Sequence, residues 1–205
     1  MSDILNSLIE RFPALSECRN DILSAYNLMV DCYDNGGKLL CCGNGGSAAD
    51  CDHLVGELMK GFLKKRPLSD SEKEKFSSEE LASGLQKGLP AISLCAHSAL
   101  MTAFSNDEAP EFVFAQQVYT YAKKNDILVA FSTSGNSENV VYAAQAAKAA
   151  DIAVVAITGK NESKLSRLCD ICIRIPETET YKIQELTLPV YHCLAAMIED
   201  NYFDI

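Results

Sequence analysis

Five short apolar runs, separated by segments with helical spacing, constrain the fold of this chain more than any other feature of its sequence. The runs are residues 38–42, 91–94, 127–131, 153–158 and 171–175. They are nearly continuous in apolar residues, which is typical of strands that are buried on both faces by crossover helices. The pattern predicts an α/β fold, a doubly wound three-layer sandwich with a five-stranded parallel sheet.

The rest of the chain divides into an N-terminal helical part and one long polar interruption. Residues 1–35 have apolar positions at helical spacing on both sides of Pro13, which predicts two amphipathic helices. Residues 63–88 are polar and charged, so we interpret them as an insertion, partly helical from a cap at Ser78. A solvated loop is the default for such a run, although it could also close over a pocket or remodel a subunit contact. A length of 205 residues with 48% hydrophobic content favours one domain over residues 1–205.

Charge and cysteine content narrow the expected partners and compartment. A formal net charge of -10 would repel a polyanion, so we do not expect nucleic acid as a ligand. Nine cysteines are an odd number and are scattered along the chain, which favours a reducing, cytoplasmic environment. No uninterrupted apolar stretch reaches the roughly 20 residues that a bilayer span needs, so we expect no membrane association.

Two loops follow predicted strands and precede predicted helices, which is where open parallel sheets bind ligands. The first, residues 43–47, lacks the lysine of a Walker loop and the spacing of a dinucleotide fingerprint, so neither a nucleotide nor a redox cofactor is expected. The second, residues 132–137, combines hydroxyl side chains with the free amides of a helix start. It predicts an uncharged cradle for a phosphate monoester, although Ser137 could instead be an ordinary N-cap in a common turn.

Two pairs of polar side chains recur on probable helix faces. His53 and Glu57 are one turn apart and can reach a single point, as a metal-binding or acid–base pair requires. Gln184 and His192 are about two turns apart near the end of the chain. Alone, the first pair could be a surface ion pair and His192 a buried core histidine. The positions of the two pairs favour one shared pocket.

A more specific signal comes from four segments taken in order. They are residues 42–50 followed by His53 and Glu57, residues 131–140, residues 157–160, and residues 183–185 followed by His192. Together they resemble the phosphoheptose isomerases, which belong to the sugar isomerase (SIS) domain family. The resemblance spans most of the chain and does not include residues 63–88.

The resemblance implies a flavodoxin-like SIS fold, a homotetramer with sites at subunit interfaces, and conversion of sedoheptulose 7-phosphate to D-glycero-D-manno-heptose 7-phosphate. It implies that Glu57 is the base and His192 the acid, and that zinc, where members bind it, is held by His53, Glu57, Gln184 and His192. It also implies a set of residues that bind the sugar and its phosphate, with Gln184 among them. The others are Asn44, Gly45, Ser47, Asp107, Ser132, Thr133, Ser134 and Ser137.

Isomerisation of a ketose to an aldose suits these residue types. A base must move a proton between adjacent carbons through an enediol, while an acid or a metal stabilises the oxygen that becomes negative. Two other interpretations stay open on the sequence. One is a non-catalytic SIS protein that binds a sugar phosphate or a partner protein, and the other is an isomerase of a different phosphosugar.

Overall fold

The computed structural model describes residues 2–203, and a five-stranded sheet forms its centre. The strands are β1 (Leu39–Cys42), β2 (Ala91–Ser93), β3 (Ile127–Ser132), β4 (Ala153–Thr158) and β5 (Ile171–Arg174). Their order is β2-β1-β3-β4-β5, and every neighbouring pair is parallel. The predicted fold class is therefore confirmed, with strand limits that differ from the predicted runs by a residue or so.

The helices follow the predicted alternation and add several short elements. They are α1 (Ser2–Arg11), α2 (Arg19–Asp34), α3 (Gly46–Met59), α4 (Asp70–Lys73), α5 (Glu79–Gly84), α6 (Ser98–Asp107), α7 (Val113–Tyr121), α8 (Glu138–Ala149), α9 (Lys164–Leu168) and α10 (Thr180–Tyr202). Short 3-10 helices span Pro13–Cys18 and Pro110–Phe112. The sequence did not predict α4, α7 or α9.

Each face of the sheet carries its own apolar core, because successive strand residues point to opposite faces. Leu39 and Cys41 face a core formed with α1, α2, α3 and α10, whereas Leu40 and Cys42 face a second core formed with α7 and α8. β1 and β3 are buried along their whole lengths. Helices therefore cover both faces, as the continuous apolar runs predicted.

The polar insertion is anchored at both ends and exposed in the middle. Pro67 pairs with Gln86 as an antiparallel bridge, and the Lys87 amide donates to the Arg66 carbonyl at 2.7 Å. The predicted cap is confirmed, since the Ser78 hydroxyl accepts from the Leu81 amide at 3.2 Å. Arg66 departs from the expected solvated loop, since it is 2% exposed, whereas Leu63 at the start of the segment is 69% exposed.

A membrane span would need a long and uniformly apolar helix. None of the helices within residues 2–203 has both properties.

Candidate functional site

The glycine loop after β1 leads directly into α3. Gly45 has a φ of 55°, a left-handed conformation that favours glycine, and it precedes the first residue of the helix. A Cβ on Gly46 would lie 2.5 Å from Nε2 of Gln184, so a glycine here allows α10 to approach the start of α3. Ser47 is buried in the first turn, and Asn44 is exposed at the loop.

The two predicted ligand loops are joined by a reciprocal amide pair. Nδ2 of Asn44 donates to Oδ1 of Asn139 at 2.9 Å, and Nδ2 of Asn139 donates back to Oδ1 of Asn44 at 2.9 Å. Asn139 lies in the first turn of α8, directly after the serine loop, so the pair holds the two loops side by side. Sequence reasoning assigned no role to Asn139, because its partner is distant along the chain.

The serine loop spans residues 132–137 between β3 and α8. Ser132 is buried, and its hydroxyl lies 3.1 Å from that of Ser137. Ser137 occupies the N-cap position, but its side chain makes no capping hydrogen bond. Ser137 therefore has the position of an ordinary N-cap residue but does not make the hydrogen bond of one. The exposed Ser134 accepts a hydrogen bond from the Asn136 amide at 3.1 Å.

His53 lies at the centre of a cluster that joins α3 to α10. Its Nε2 is 3.1 Å from Oε1 of Glu57 and 3.4 Å from Nε2 of His192. Its Nδ1 is 2.9 Å from the hydroxyl of Tyr191, which is 1% exposed. The other Glu57 oxygen, Oε2, accepts from the Lys60 ammonium at 2.8 Å. Tyr191 and Lys60 were not among the predicted site residues.

Electrostatics in the cluster favour a neutral imidazole on α10. Burial lowers the pKa of His192, and the neighbouring imidazole of His53 lowers it further. The side chain of Glu57 is 12% exposed and that of His53 is 42% exposed. The cluster is therefore partly shielded on the Glu57 side and open to a ligand on the His53 side.

The contacts of the four predicted zinc ligands bear on whether they could hold the ion. Oε1 of Glu57 and Nε2 of His192 lie 3.1 Å and 3.4 Å from Nε2 of His53. Neighbouring ligands of a tetrahedral zinc ion, each about 2.0–2.1 Å from the metal, are spaced in this way. The Gln184 side chain lies next to Gly46, which is about two turns before His53 on α3. Within the described part of the chain, no three His, Cys, Asp or Glu side chains are grouped as a metal site. The donor types and these two spacings suit zinc, but the four side chains are not gathered around one position here, so zinc binding stays a prediction.

The serine loop and His192 line different cavities. Thr133 and Ser134 line a cavity of about 350 Å³ together with Lys160 at the end of β4. His192 lines another of about 450 Å³, whose walls include apolar residues of α1. Asp107 lies exposed at the end of α6, where its carboxylate accepts from Asn106 at 2.9 Å. Its predicted place in the sugar pocket stays a prediction.

Comparison with known proteins decides the family. The family model described as the SIS domain matches residues 5–159. This chain belongs to the SIS domain family. It is 36% identical to the phosphoheptose isomerase of Rhodospirillum rubrum over 92% of this chain and 90% of that protein. It is 39% identical to that of Helicobacter hepaticus over 88% of this chain and 82% of that protein.

Solved structures of phosphoheptose isomerases also resemble this SIS domain protein over almost its whole length. A phosphoheptose isomerase from Francisella tularensis superimposes with a TM-score of 0.77 at 32% identity, covering 97% of each chain. The enzyme from Neisseria gonorrhoeae gives 0.75 at 30% identity, covering 97% of this chain and 98% of that one. Full-length agreement at this identity confirms the predicted resemblance to the phosphoheptose isomerases.

Proposed function

We propose that this chain isomerises sedoheptulose 7-phosphate to D-glycero-D-manno-heptose 7-phosphate through an enediol. The observation that carries the proposal is the cluster in which α3 contributes Glu57 and His53 and α10 contributes His192. A carboxylate and an imidazole that meet at the same side chain can supply the base and the acid for ketose–aldose isomerisation. Relatives at 36% and 39% identity that bear the name phosphoheptose isomerase support this substrate.

Glu57 is assigned as the base that moves the carbon-bound proton. It removes the proton from C1 of the ketose, which leaves an enediol, and returns it to C2 to give the aldose. Oε1 of Glu57 contacts His53 and Oε2 contacts Lys60, so the carboxylate is held in place before substrate binds. Such preorganisation reduces the entropy lost in reaching the transition state.

His192 is assigned to the oxygen side of the reaction. As C2 loses its carbonyl, the oxygen on C2 must gain a proton and the hydroxyl on C1 must lose one. A neutral imidazole donates from one nitrogen and accepts at the other, so it can transfer this proton without carrying a charge in the resting site. The lowered pKa of His192 keeps the imidazole neutral near neutral pH.

The serine loop is assigned to the phosphate. Ser132, Thr133, Ser134 and Ser137 provide hydroxyls next to the first turn of α8, whose amides favour an anion. Lys160 lines the same cavity as Thr133 and Ser134 and adds a positive charge near the phosphate. Asn44, Gly45, Ser47, Gln184 and Asp107 are proposed to line the sugar pocket.

Zinc, assembly and compartment are also proposals. A zinc ion held by His53, Glu57, Gln184 and His192 would polarise the substrate oxygens as a Lewis acid. We propose a homotetramer with sites at subunit interfaces, as the resemblance to the phosphoheptose isomerases implies. A cytoplasmic location is supported by nine cysteines that are all free.

One assay tests the function and the metal together. The purified chain is incubated with sedoheptulose 7-phosphate and with other ketose phosphates, each with and without a chelator. We expect the highest kcat/KM with sedoheptulose 7-phosphate. If only another ketose phosphate is turned over, that sugar replaces sedoheptulose 7-phosphate as the proposed substrate. If none of the ketose phosphates is turned over, the non-catalytic alternative is favoured. If the chelator abolishes activity and added Zn²⁺ restores it, the reaction depends on zinc.

A further inference from the structure

A buried ion pair fastens the segment that follows α3 to α10. Nε of Arg66 lies 2.8 Å from Oε1 of Glu199, and the two side chains are 0% and 1% exposed. Burying two charges costs desolvation energy that their attraction often only offsets, so such a pair is weak evidence for a stabilising role alone. The role of the Arg66–Glu199 pair therefore has to be inferred from its other hydrogen bonds.

Arg66 connects the pair to the last turn of α3. Its Nη1 donates to the Leu58 carbonyl at 2.7 Å, and its Nη2 donates to the carbonyl of Glu57 itself at 3.2 Å. Carbonyls in the last turn of a helix have no partner within the helix, and a cation there also interacts favourably with the helix dipole. Arg66 thus holds the backbone of the residue proposed as the base.

Glu199 connects the pair to the helix that carries His192. It lies about two turns beyond His192 on α10. Burial would raise its pKa, but hydrogen bonds from the segment after α3 outweigh burial, lower the pKa and keep the carboxylate charged. Besides Arg66, its donors are the amides of Phe62 at 2.8 Å, Leu63 at 2.7 Å and Lys64 at 3.0 Å.

α3 and its continuation run alongside α10 with a nearly constant sequence offset. His53 contacts Tyr191, 138 residues later, and Phe62 contacts Glu199, 137 residues later. We propose that Arg66 and Glu199 are positioning residues, which fix α3 lengthwise against α10 so that Glu57 and His192 reach the same substrate. The inference rests on the proposed isomerase activity. Neither residue touches the substrate in this account.

A shift of the α3 backbone would act on the chemistry more than on substrate binding. A misplacement of about 1 Å in a catalytic group can reduce the rate roughly 100-fold. The serine loop lies between β3 and α8, whereas the side-chain hydrogen bonds of Arg66 and Glu199 described above join only α3, its continuation and α10. A purely structural pair would instead reduce the folded fraction and leave the kinetics of the folded molecules unchanged.

The test uses mild variants and a matched control. Arg66→Lys keeps the charge but loses the planar fork that reaches both carbonyls and Glu199. Glu199→Gln keeps the shape and one oxygen acceptor, so the test does not depend on one variant folding. The control is Lys64→Met, which removes the neighbouring 3.0 Å ion pair between Lys64 and Asp200. The Lys64 ammonium binds Asp200 and the Phe203 carbonyl and makes no contact with the α3 carbonyls that Arg66 holds. Each protein is assayed well below its unfolding temperature, with folding verified by circular dichroism.

We expect kcat of folded Arg66→Lys and Glu199→Gln to fall about 10- to 100-fold, with KM changed by less than about threefold. Lys64→Met should keep kcat within about twofold of the parent chain. The proposal is overturned if the folded variants keep the parental kcat, or if the control loses as much as they do.

Amide hydrogen exchange separates this inference from the proposed function. Arg66→Lys should speed exchange across residues 57–64 and leave exchange in α8 unchanged. If the parent chain turns over no ketose phosphate, the proposed function fails while the exchange experiment still reports the connection between α3 and α10. Unchanged exchange across residues 57–64 in Arg66→Lys would refute the positioning role whatever the activity.

Discussion

The serine loop differs from the contact between α3 and α10 in the groups it offers a ligand. We call that contact, which runs from His53 and His192 to Arg66 and Glu199, the seam. Residues 132–137 contain hydroxyls and backbone amides but no ionisable side chain. The seam brings Glu57 and His192 to the same ring nitrogen of His53. The loop is suited to hold a charged group that does not react, and the seam is suited to move protons.

This difference predicts a separation of binding from chemistry. Contacts to the phosphate are the same in the ground state and in the transition state, so they act mainly on KM. Proton transfers exist only along the reaction path, so the groups that perform them act mainly on kcat. Substitutions in the two regions should therefore have distinguishable kinetic effects.

The largest effect is expected from Glu57→Gln. Loss of the base should lower kcat by about 10²- to 10⁴-fold, because an amide cannot accept the carbon-bound proton. KM should change little, since the serine loop is intact. Steady-state kinetics with sedoheptulose 7-phosphate measure both constants. Asp52→Asn, an exposed position on the same helix, is the control and should keep the parental rate. A parental kcat in Glu57→Gln would remove Glu57 from the mechanism.

A smaller loss of kcat is expected from His192→Ala. Water can replace part of the transfer between the two oxygens, so we expect about a 100-fold decrease, at the lower end of the range for general acid–base groups. The fold should persist, because His192 lies at the edge of a cavity and not in the core. The thermal unfolding midpoint checks the fold, and kcat checks the role. If kcat were unchanged and only KM rose, His192 would bind substrate without transferring a proton.

Removing a hydroxyl from the serine loop should have the opposite kinetic signature. Ser137→Ala removes the partner of the buried Ser132 hydroxyl, 3.1 Å away. The loss of about one hydrogen bond to a charged phosphate should raise KM roughly tenfold and leave kcat within about twofold. Ser71→Ala, in the exposed insertion, is the control. A fall in kcat with constant KM would mean that the loop takes part in the chemistry.

The two regions should also differ in their response to acid, because only the seam holds a buried carboxylate, Glu199. Its lowered pKa stabilises the fold above the pKa of the unfolded chain, about 4.3, and this stabilisation is lost as pH falls through the folded value. Urea unfolding should show Glu199→Gln less stable than the parent near pH 7, with the difference shrinking below about pH 4. A difference that stays constant over this range would show that ionisation of Glu199 does not contribute.

Local sequence patterns predicted the sheet and part of the site. Each buried strand is a continuous apolar run, and the approach of His53 to Glu57 follows from one helical turn. The short helices α4 and α9 have only four and five residues, too few for an apolar repeat to be recognised. Their caps, at Ser69 and Ser163, were the available signal.

Contacts between distant segments could not be predicted in this way. Asn44 and Asn139 are 95 residues apart, and Arg66 and Glu199 are 133 residues apart. Arg66 belongs to a Lys-rich stretch, and its burial depends on how α10 packs against α3. The contact of Tyr191 with His53 likewise depends on this packing, although Tyr191 directly precedes a predicted site residue.

A double-mutant cycle of Glu57→Gln and His192→Ala tests the central claim, that two helices deliver one base and one acid to one substrate. Residues that act as a unit have strongly non-additive effects. If Glu57 and His192 act as a unit, kcat of the double variant will be within about threefold of that of the slower single variant. Losses that multiply, as those of independent sites would, contradict it.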